Sequence, residues 1–420
     1  MTEDENKQRA IDAIKKKLTG KSLSYNEIFS IMDEIATERL GPVLTAYFAA
    51  AGFTQGFSDE ELYHLTRAMV ATGPILHFKG IVADKHSTGG VAGTRTTMIL
   101  VPIIAAAGFQ IPKTSSRAIT SPSGTADTME VLAPVTFMPD KIEELVHKTG
   151  GCIVWGGHLG LAPADDILIQ VEQPLAFESF DKIIVSIMAK KVASGATHLV
   201  LDIPVGPTMK IQHEKDATLI AQKFSFLAKR FSINVTVDIN QIRQNAGRGI
   251  GPMLEARDVL EVLEQTKNRP MALEEKAIRL AGRLLDICFA DTPDRKSEKG
   301  DAVAREILAS GKALAKMKEI VAAQGGNPDI SSENLAFASY KHEMKSQHKG
   351  KVKSINNQQI TVICRILGSP NDKAAGMFLN QKLDDQVDKN DILCTLYSSD
   401  KWRLSEAIET VKNIPMYSVE

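Results

Sequence analysis

Between residues 5 and 75 the apolar positions recur three and four apart, which is the spacing of amphipathic helices. Two helix starts carry capping boxes, Ser24-x-x-Glu27 and Ser58-x-x-Glu61, in which serine and glutamate satisfy amides that a first turn leaves open. The pattern predicts a small all-helical domain over residues 1–75. Beyond it, short apolar runs of strand length, each ending in Gly, Ser, Asp or Pro, alternate with helical segments. Residues 81–83 run into DKHSTGG, 152–155 into GGHLG, 198–203 into PVGPTMK and 235–239 into NQIRQNAGRGIG. Such alternation predicts an α/β domain over residues 76–340 with a mostly parallel central sheet. Ligands of these sheets bind beyond the carboxyl ends of the strands, so four polar loops are expected to meet at one cleft. After GGNPD (residues 325–329) the pattern weakens, and the β runs GKVKSI and ITVICRIL, separated by a turn-like Asn356-Asn357 pair, predict a β-rich C-terminal subdomain over 341–420.

At 420 residues the chain exceeds one ordinary core, in keeping with two or three domains. Its 50 basic and 51 acidic residues leave a net charge of -1, which argues against a nucleic-acid polymer or a membrane surface as partner. The four cysteines are far apart without C-x-x-C spacing and are expected to be reduced core thiols. The charged, amphipathic start lacks the apolar core of a secretory signal, so a cytoplasmic location is expected.

The chemistry concentrates in residues 84–97, DKHSTGGVAGTRTT. Gly89, Gly90 and Gly93 permit turns that leave backbone amides open, Ser87, Thr94 and Thr96 offer hydroxyls, and Lys85 brings a mobile charge suited to phosphate. The run MILVPIIAAAG behind them fits a helix whose amino terminus adds positive potential, with Pro102 tolerated if it lies in the first turn. The loop is neither a Walker A loop nor a dinucleotide G-x-G-x-x-G. A second stretch, KTSSRAITSPSGTADTME (residues 113–130), is rich in hydroxyls and holds Arg117, a candidate bidentate phosphate ligand. Ser186 and Lys190, four apart, share one helix face. Glu178, just before them, could act as a general acid if desolvated, or simply favour a helix amino terminus. Each feature alone also fits a bland role: a glycine turn, a structural His86, a solvated loop, a surface lysine.

Taken together, KHSTGG, SSRAITS, GTADTMEVLAPV, LAPADD and SIMAKK resemble the thymidine and pyrimidine nucleoside phosphorylase family, and more closely its branch with the archaeal AMP phosphorylases. The resemblance implies a helical domain split in sequence, completed near residues 160–195, that also forms a homodimer interface across a cleft from a larger α/β domain. It implies phosphorolysis, in which inorganic phosphate displaces a base from C1 of a ribosyl group, with phosphate as co-substrate and no metal or organic cofactor. Carried over by motif, Lys85, Ser87, Thr96, Ser115 and Thr125 match phosphate-side residues, and His86, Ser186 and Lys190 match residues facing the base. In the AMP branch Gly90, Ser116, Arg117, Ala118, Ile119, Thr120, Ser121, Thr125, Ser186 and Lys210 match nucleotide-contacting positions. His86 or Glu178 is the expected donor to the departing base.

Three departures stand out. Glu172 occupies the place where thymidine phosphorylases carry a pyrimidine-reading arginine, and Glu178 stands where the AMP branch has an aspartate donor. The extra amino-terminal domain of AMP phosphorylases, which supports large assemblies, has no counterpart before the helical region, and a dimer is expected. The expected products are free base and ribose 1,5-bisphosphate from a nucleoside 5'-monophosphate, or ribose 1-phosphate from a nucleoside. The alternatives are thymidine phosphorolysis, a phosphoribosyltransferase holding magnesium through Asp165-Asp166, and an inactive nucleotide sensor. Lys382 sits in a hairpin-like stretch resembling a carrier domain but without a modification motif, so a packed accessory subdomain is expected.

Overall fold

The structure is a computed structural model that describes residues 2–119, 121–172 and 179–420. The chain opens with helices α1 (Glu3–Leu18), α2 (Tyr25–Ala36), α3 (Gly41–Gln55) and α4 (Asp59–Ala71). Next come β1 (Ala83–Ser87), α5 (Thr96–Ala106), β2 (Ile111–Ser115), α6 (Thr125–Met129), α7 (Pro139–Thr149) and β3 (Gly151–Trp155). Helices α8 (Pro163–Glu172) and α9 (Phe180–Ala193) lead to β4 (His198–Val205), α10 (Glu214–Arg230), β5 (Asn234–Gln241) and β6 (Gly249–Ile250). Helices α11 (Pro252–Leu263), α12 (Met271–Ala290), α13 (Gly300–Ala309) and α14 (Lys312–Ala323) follow. The end of the chain holds β7 (Tyr340–Lys345), β8 (Gly350–Ile355), α15 (Asn357–Leu367), β9 (Gly376–Leu379), β10 (Gln386–Val387), β11 (Ile392–Ser398), α16 (Lys401–Asn413) and β12 (Tyr417–Val419).

Both capping boxes form: Ser24 and Ser58 accept from the amides of Glu27 and Glu61, whose carboxylates accept in return from the serine amides at 2.7 and 2.9 Å. A third box, Thr2 with Glu5, starts α1. Each such cap contributes about 1 kcal/mol. Helices α8 and α9 share one core with α1 to α4, in which Ile28, Leu62, Leu168 and Met188 meet.

Strands β1, β4 and β5 pair in parallel, as do β2 and β3. A bridge between Val82 and Gln110 joins the two sets, giving the order β3-β2-β1-β4-β5. The chain winds outward from β1 to β3, then returns to place β4 on the other side of β1. Loops leaving β1 and β4 therefore diverge, and the crevice between them is where such sheets bind ligands. Alternate residues of β4 pack on opposite faces. Leu199, Leu201 and Ile203 meet the helical unit and α10, while Val200 meets α5 and the helices α11 to α14. Burial on both faces explains why the strand is mostly apolar.

The C-terminal subdomain has two helices and two antiparallel sheets, β10-β8-β12 and β6-β9-β11-β7, the second including β6 from the α/β part of the chain. ITVICRIL is not a strand but most of α15. The Asn356 side chain accepts from the amides of Gln358 and Gln359, so the apparent turn signal is a helix N-cap. Ile360, Ile363, Cys364 and Leu367 then fall on the buried face at helical spacing. Pro102 lies well inside α5, beyond the first turn where a helix tolerates proline most easily. Lys382 is packed, its amine donating to the backbone carbonyls of Asn245 and Gly247. All four cysteines are free and buried. Among the described residues no helix is long and apolar enough to cross a membrane.

Candidate active site

The glycine-rich loop, residues 88–95, leaves the sheet where β1 and β4 diverge. Gly89, Gly90 and Gly93 have φ of 83°, 85° and 59°, a region that side chains disfavour. Close approach adds a second reason at two of them. A Cβ on Gly90 would stand 2.9 Å from the Lys210 Cβ, and one on Gly93 would stand 2.7 Å from the Gly249 carbonyl. The segments after β4 and β5 thus close directly onto the loop after β1. Among the described residues the amides of Gly90, Val91 and Thr94 have no hydrogen-bond partner. The loop runs into the amino terminus of α5, where Thr96 is 0% exposed and its hydroxyl is unpartnered. Open amides, a helix dipole and a free hydroxyl make a cradle for an anion.

Strand β1 points its charges to alternate faces. Lys85, 4% exposed, donates to Thr97 Oγ1 at 3.3 Å and stands 3.9 Å from Asp202 of β4. Asp202 is in turn held by Lys276 of α12 at 3.2 Å and by Asn240 of β5 at 2.8 Å. Burial lowers the Lys85 pKa to about 8, with Asp202 opposing the shift and Lys276 and Arg95 adding to it. Asp84 meets Lys191 of α9 and, at 3.4 Å, Lys113 of β2. Burial opposes its ionisation, but Lys113 and Lys191 outweigh that and hold the carboxyl below its ordinary value. Burial brings the Lys113 pKa down to about 7. His86, between these groups, is held well below the ordinary imidazole value by burial and then by Lys191, Lys113, Lys85 and Lys190. It is therefore a neutral hydrogen bonder near pH 7, not an imidazolium acid. Glu178, the other expected donor, lies outside the described residues.

The second wall folds over α6. Amides of Ala118 and Gly124 donate to the Asp127 carboxylate at 2.7 and 2.9 Å, and the Ser116 carbonyl accepts from Ala126 at 3.3 Å. Ser115 ends β2, Thr125 opens α6, Ser121 donates to the Ser123 carbonyl at 2.6 Å, and Ile119 is exposed. Thr120 lies outside the described residues. Arg117 departs from the phosphate-ligand expectation. Its guanidinium grips Glu130 through two bonds of 2.7 and 2.6 Å, reaches Asp127 at 3.1 Å and stacks 4.7 Å from the Trp155 ring. With those partners the side chain fastens the loop to α6 instead of reaching for an anion.

Across the cleft, Ser186 donates to Asp165 at 2.7 Å, and Lys190 pairs with Asp165 at 2.9 Å and Asp166 at 3.6 Å. Burial would lower the Lys190 pKa, but the two aspartates hold it above its ordinary value. Burial raises Asp166 to about 6. Glu172 turns into the helical unit, where it pairs with Lys182 and borders a cavity lined by Phe48, Phe57 and Leu168. The structure thus gathers Lys85, His86, Ser87, Gly90, Thr96, Ser115, Thr125 and Lys210 at one end of the sheet, and sets Ser186 and Lys190 opposite on α9.

Several residues at this end escaped the reading of the motifs. Lys113, Lys191 and Asp202 form the charged floor under β1, and Glu255 and Asn357 hold the glycine loop from outside. Lys113 and Asp202 stand within or at the end of apolar runs, where a buried charge is itself a signal. Asn357 gave none, because its contact depends on how a distant subdomain docks.

Comparison with known proteins agrees with this architecture. Residues 11–73 match the helical bundle domain of a glycosyl transferase family, residues 79–314 its a/b domain, and residues 351–417 the pyrimidine nucleoside phosphorylase C-terminal domain. The chain belongs to this family. Within it, the chain falls in the branch that contains the archaeal AMP phosphorylases. The AMP phosphorylase of Methanococcus vannielii is 42% identical over 415 residues, covering 99% of this chain and 81% of that one. The AMP phosphorylase of Thermofilum pendens is 44% identical over 403 residues, covering 96% of this chain and 76% of that one. Among solved structures, anthranilate phosphoribosyltransferase of Thermus thermophilus superposes with a TM-score of 0.61 at 21% identity, covering 74% of this chain and 99% of that one. At that identity the likeness is one of fold.

Proposed function

We propose that the protein catalyses phosphorolysis of a nucleoside 5'-monophosphate, releasing the free base and forming ribose 1,5-bisphosphate. The observation that carries this reading is the anion cradle: three left-handed glycines, open amides and the unpartnered Thr96 hydroxyl beside a buried Lys85. The relatives named AMP phosphorylases, matched over nearly the whole chain, support the nucleotide as the second substrate.

Phosphate held by the loop and Lys85 attacks C1 of the ribose. The C1–O bond to phosphate forms as the C1–N bond to the base breaks, and the base leaves with the bonding electrons and takes up a proton. Positive charge on the ribose is met by phosphate, and negative charge on the base by donors on the opposite wall. Neutral His86 donates a hydrogen bond to the base, Ser186 and Lys190 approach it from α9, and Glu178 supplies the proton. Ser116, Ser121 and Lys210 bind the nucleotide. Closure of the helical unit onto the sheet aligns the two substrates and excludes water.

Phosphate is the only co-substrate in this reading, with no resident metal. The acidic pair Asp165-Asp166, the candidate pyrophosphate-metal holder of a phosphoribosyltransferase, is neutralised by Lys190. Thymidine phosphorolysis is disfavoured by Glu172, whose side chain faces Lys182 inside the helical unit. A homodimer through the helical unit and a cytoplasmic location complete the proposal; the exposed Val43 and Tyr47 on α3 suit such an interface. The test is release of free base from a panel of nucleosides and 5'-monophosphates with phosphate. Release from AMP or CMP but not from adenosine or thymidine supports the reading, and release from thymidine or uridine overturns it.

A further inference from the structure

The C-terminal subdomain bonds to the glycine loop through the buried side chain of Asn357. Asn357, the first residue of α15, is 3% exposed. Its Nδ2 donates to the Gly90 carbonyl at 2.7 Å, and its Oδ1 accepts from the Ala92 amide at 3.0 Å and from Asn245 Nδ2 at 3.0 Å. Asn245, itself fully buried on the segment after β5, donates also to the Ala92 carbonyl at 2.8 Å. Ala92 and Ile250 enter the apolar core of the C-terminal subdomain beside Ile360, Cys364 and Met377. The loop is therefore anchored on both sides of Val91 by one asparagine.

The peptide geometry gives this anchor a chemical consequence. A trans peptide is planar, with its carbonyl and the next amide pointing in opposite directions. Fixing the Gly90 carbonyl on Asn357 aims the Val91 amide away from the C-terminal subdomain, and that amide has no partner among the described residues. Gly90, at φ 85°, would otherwise be free to turn this peptide over. We propose that Asn357 is a positioning residue for phosphate, setting the orientation of the Gly90–Val91 peptide in the anion cradle, so that the C-terminal subdomain is a working part of the phosphate site. This inference rests on the phosphorylase reading.

The prediction concerns phosphate alone. Asn357→Asp keeps an acceptor for Ala92 but cannot donate to Gly90, and Asn357→Ala removes both loop bonds together with the one from Asn245. In phosphorolysis assays Asn357→Asp, whose carboxylate would face the Gly90 carbonyl oxygen instead of donating to it, and Asn357→Ala are each expected to raise the KM for phosphate about tenfold or more, with the nucleotide KM changed less than about twofold. Ser398→Ala is the control for a weakened subdomain. It removes a buried bond to the Leu367 carbonyl, at the end of α15 opposite Asn357, and is expected to lower the melting temperature while leaving the phosphate KM unchanged. An unaltered phosphate KM in Asn357→Asp, an equal rise in both KM values, or a matching rise in Ser398→Ala would overturn the inference. Should Asn357→Ala fail to fold, Asn357→Asp carries the test. An inactive wild-type protein would instead refute the phosphorylase reading itself.

Discussion

In the proposed reaction, phosphate use turns on Lys85. Its burial lowers the pKa to about 8, so the ammonium is charged below that pH and neutral above it. The KM for phosphate is therefore expected to rise as pH increases through about 8, and a steady-state pH series with saturating nucleotide would show it. In Lys85→Arg, whose guanidinium stays charged, that rise should vanish even though overall binding is weaker. Lys85→Ala should reduce phosphorolysis at low phosphate by about a hundredfold or more, as expected when a buried charge-assisted contact is lost. Wild-type rates in that variant would remove the lysine from the site. The glycine turns were legible in the sequence because left-handed backbone conformations call for glycine. The role of Arg117 was not, since an arginine beside serines and threonines looks the same whether its partner is phosphate or Glu130.

At the scale of elements, β1 is secured by a charge cluster that crosses the sheet. Asp84 joins β1 to β2 through Lys113 and to α9 through Lys191. Asp84→Asn would deprive the buried Lys113 and Lys191 side chains of their shared counter-charge, and a loss of about 3–5 kcal/mol of stability is expected, readable by thermal or denaturant unfolding. A change below about 1 kcal/mol would show that the cluster is not needed to hold the strand. Strands β3 and β4 were legible because burial leaves them mostly apolar, whereas β2 runs into the hydroxyl-rich stretch that reads as a loop. Helix α15 was misread because ITVICRIL is rich in β-branched residues and only eight long, a length at which periodicity does not separate helix from strand. The Asn356 side chain, accepting two amides, decides it.

For the whole molecule, three units meet around one crevice: the sheet end supplies the anion cradle, the helical unit brings Ser186 and Lys190, and the C-terminal subdomain holds the loop through Asn357. The order of the motifs made this division readable, whereas the docking of the third unit onto the loop depends on contacts between residues more than two hundred positions apart, which no local pattern records. A dimer through the helical unit should sediment at about twice the chain mass of 45.8 kDa, and Val43→Asp on the exposed face of α3 should shift it toward the monomer. A wild-type protein that sediments as a monomer would contradict that assembly. The central claim, phosphate as the attacking nucleophile on a nucleotide, is tested most directly by phosphorus NMR of the protein incubated with AMP and inorganic phosphate. The account predicts that the phosphate signal falls as two phosphomonoester signals of ribose 1,5-bisphosphate grow, one equivalent for each adenine released. Adenine release that proceeds equally without phosphate, or no release at all, would contradict it.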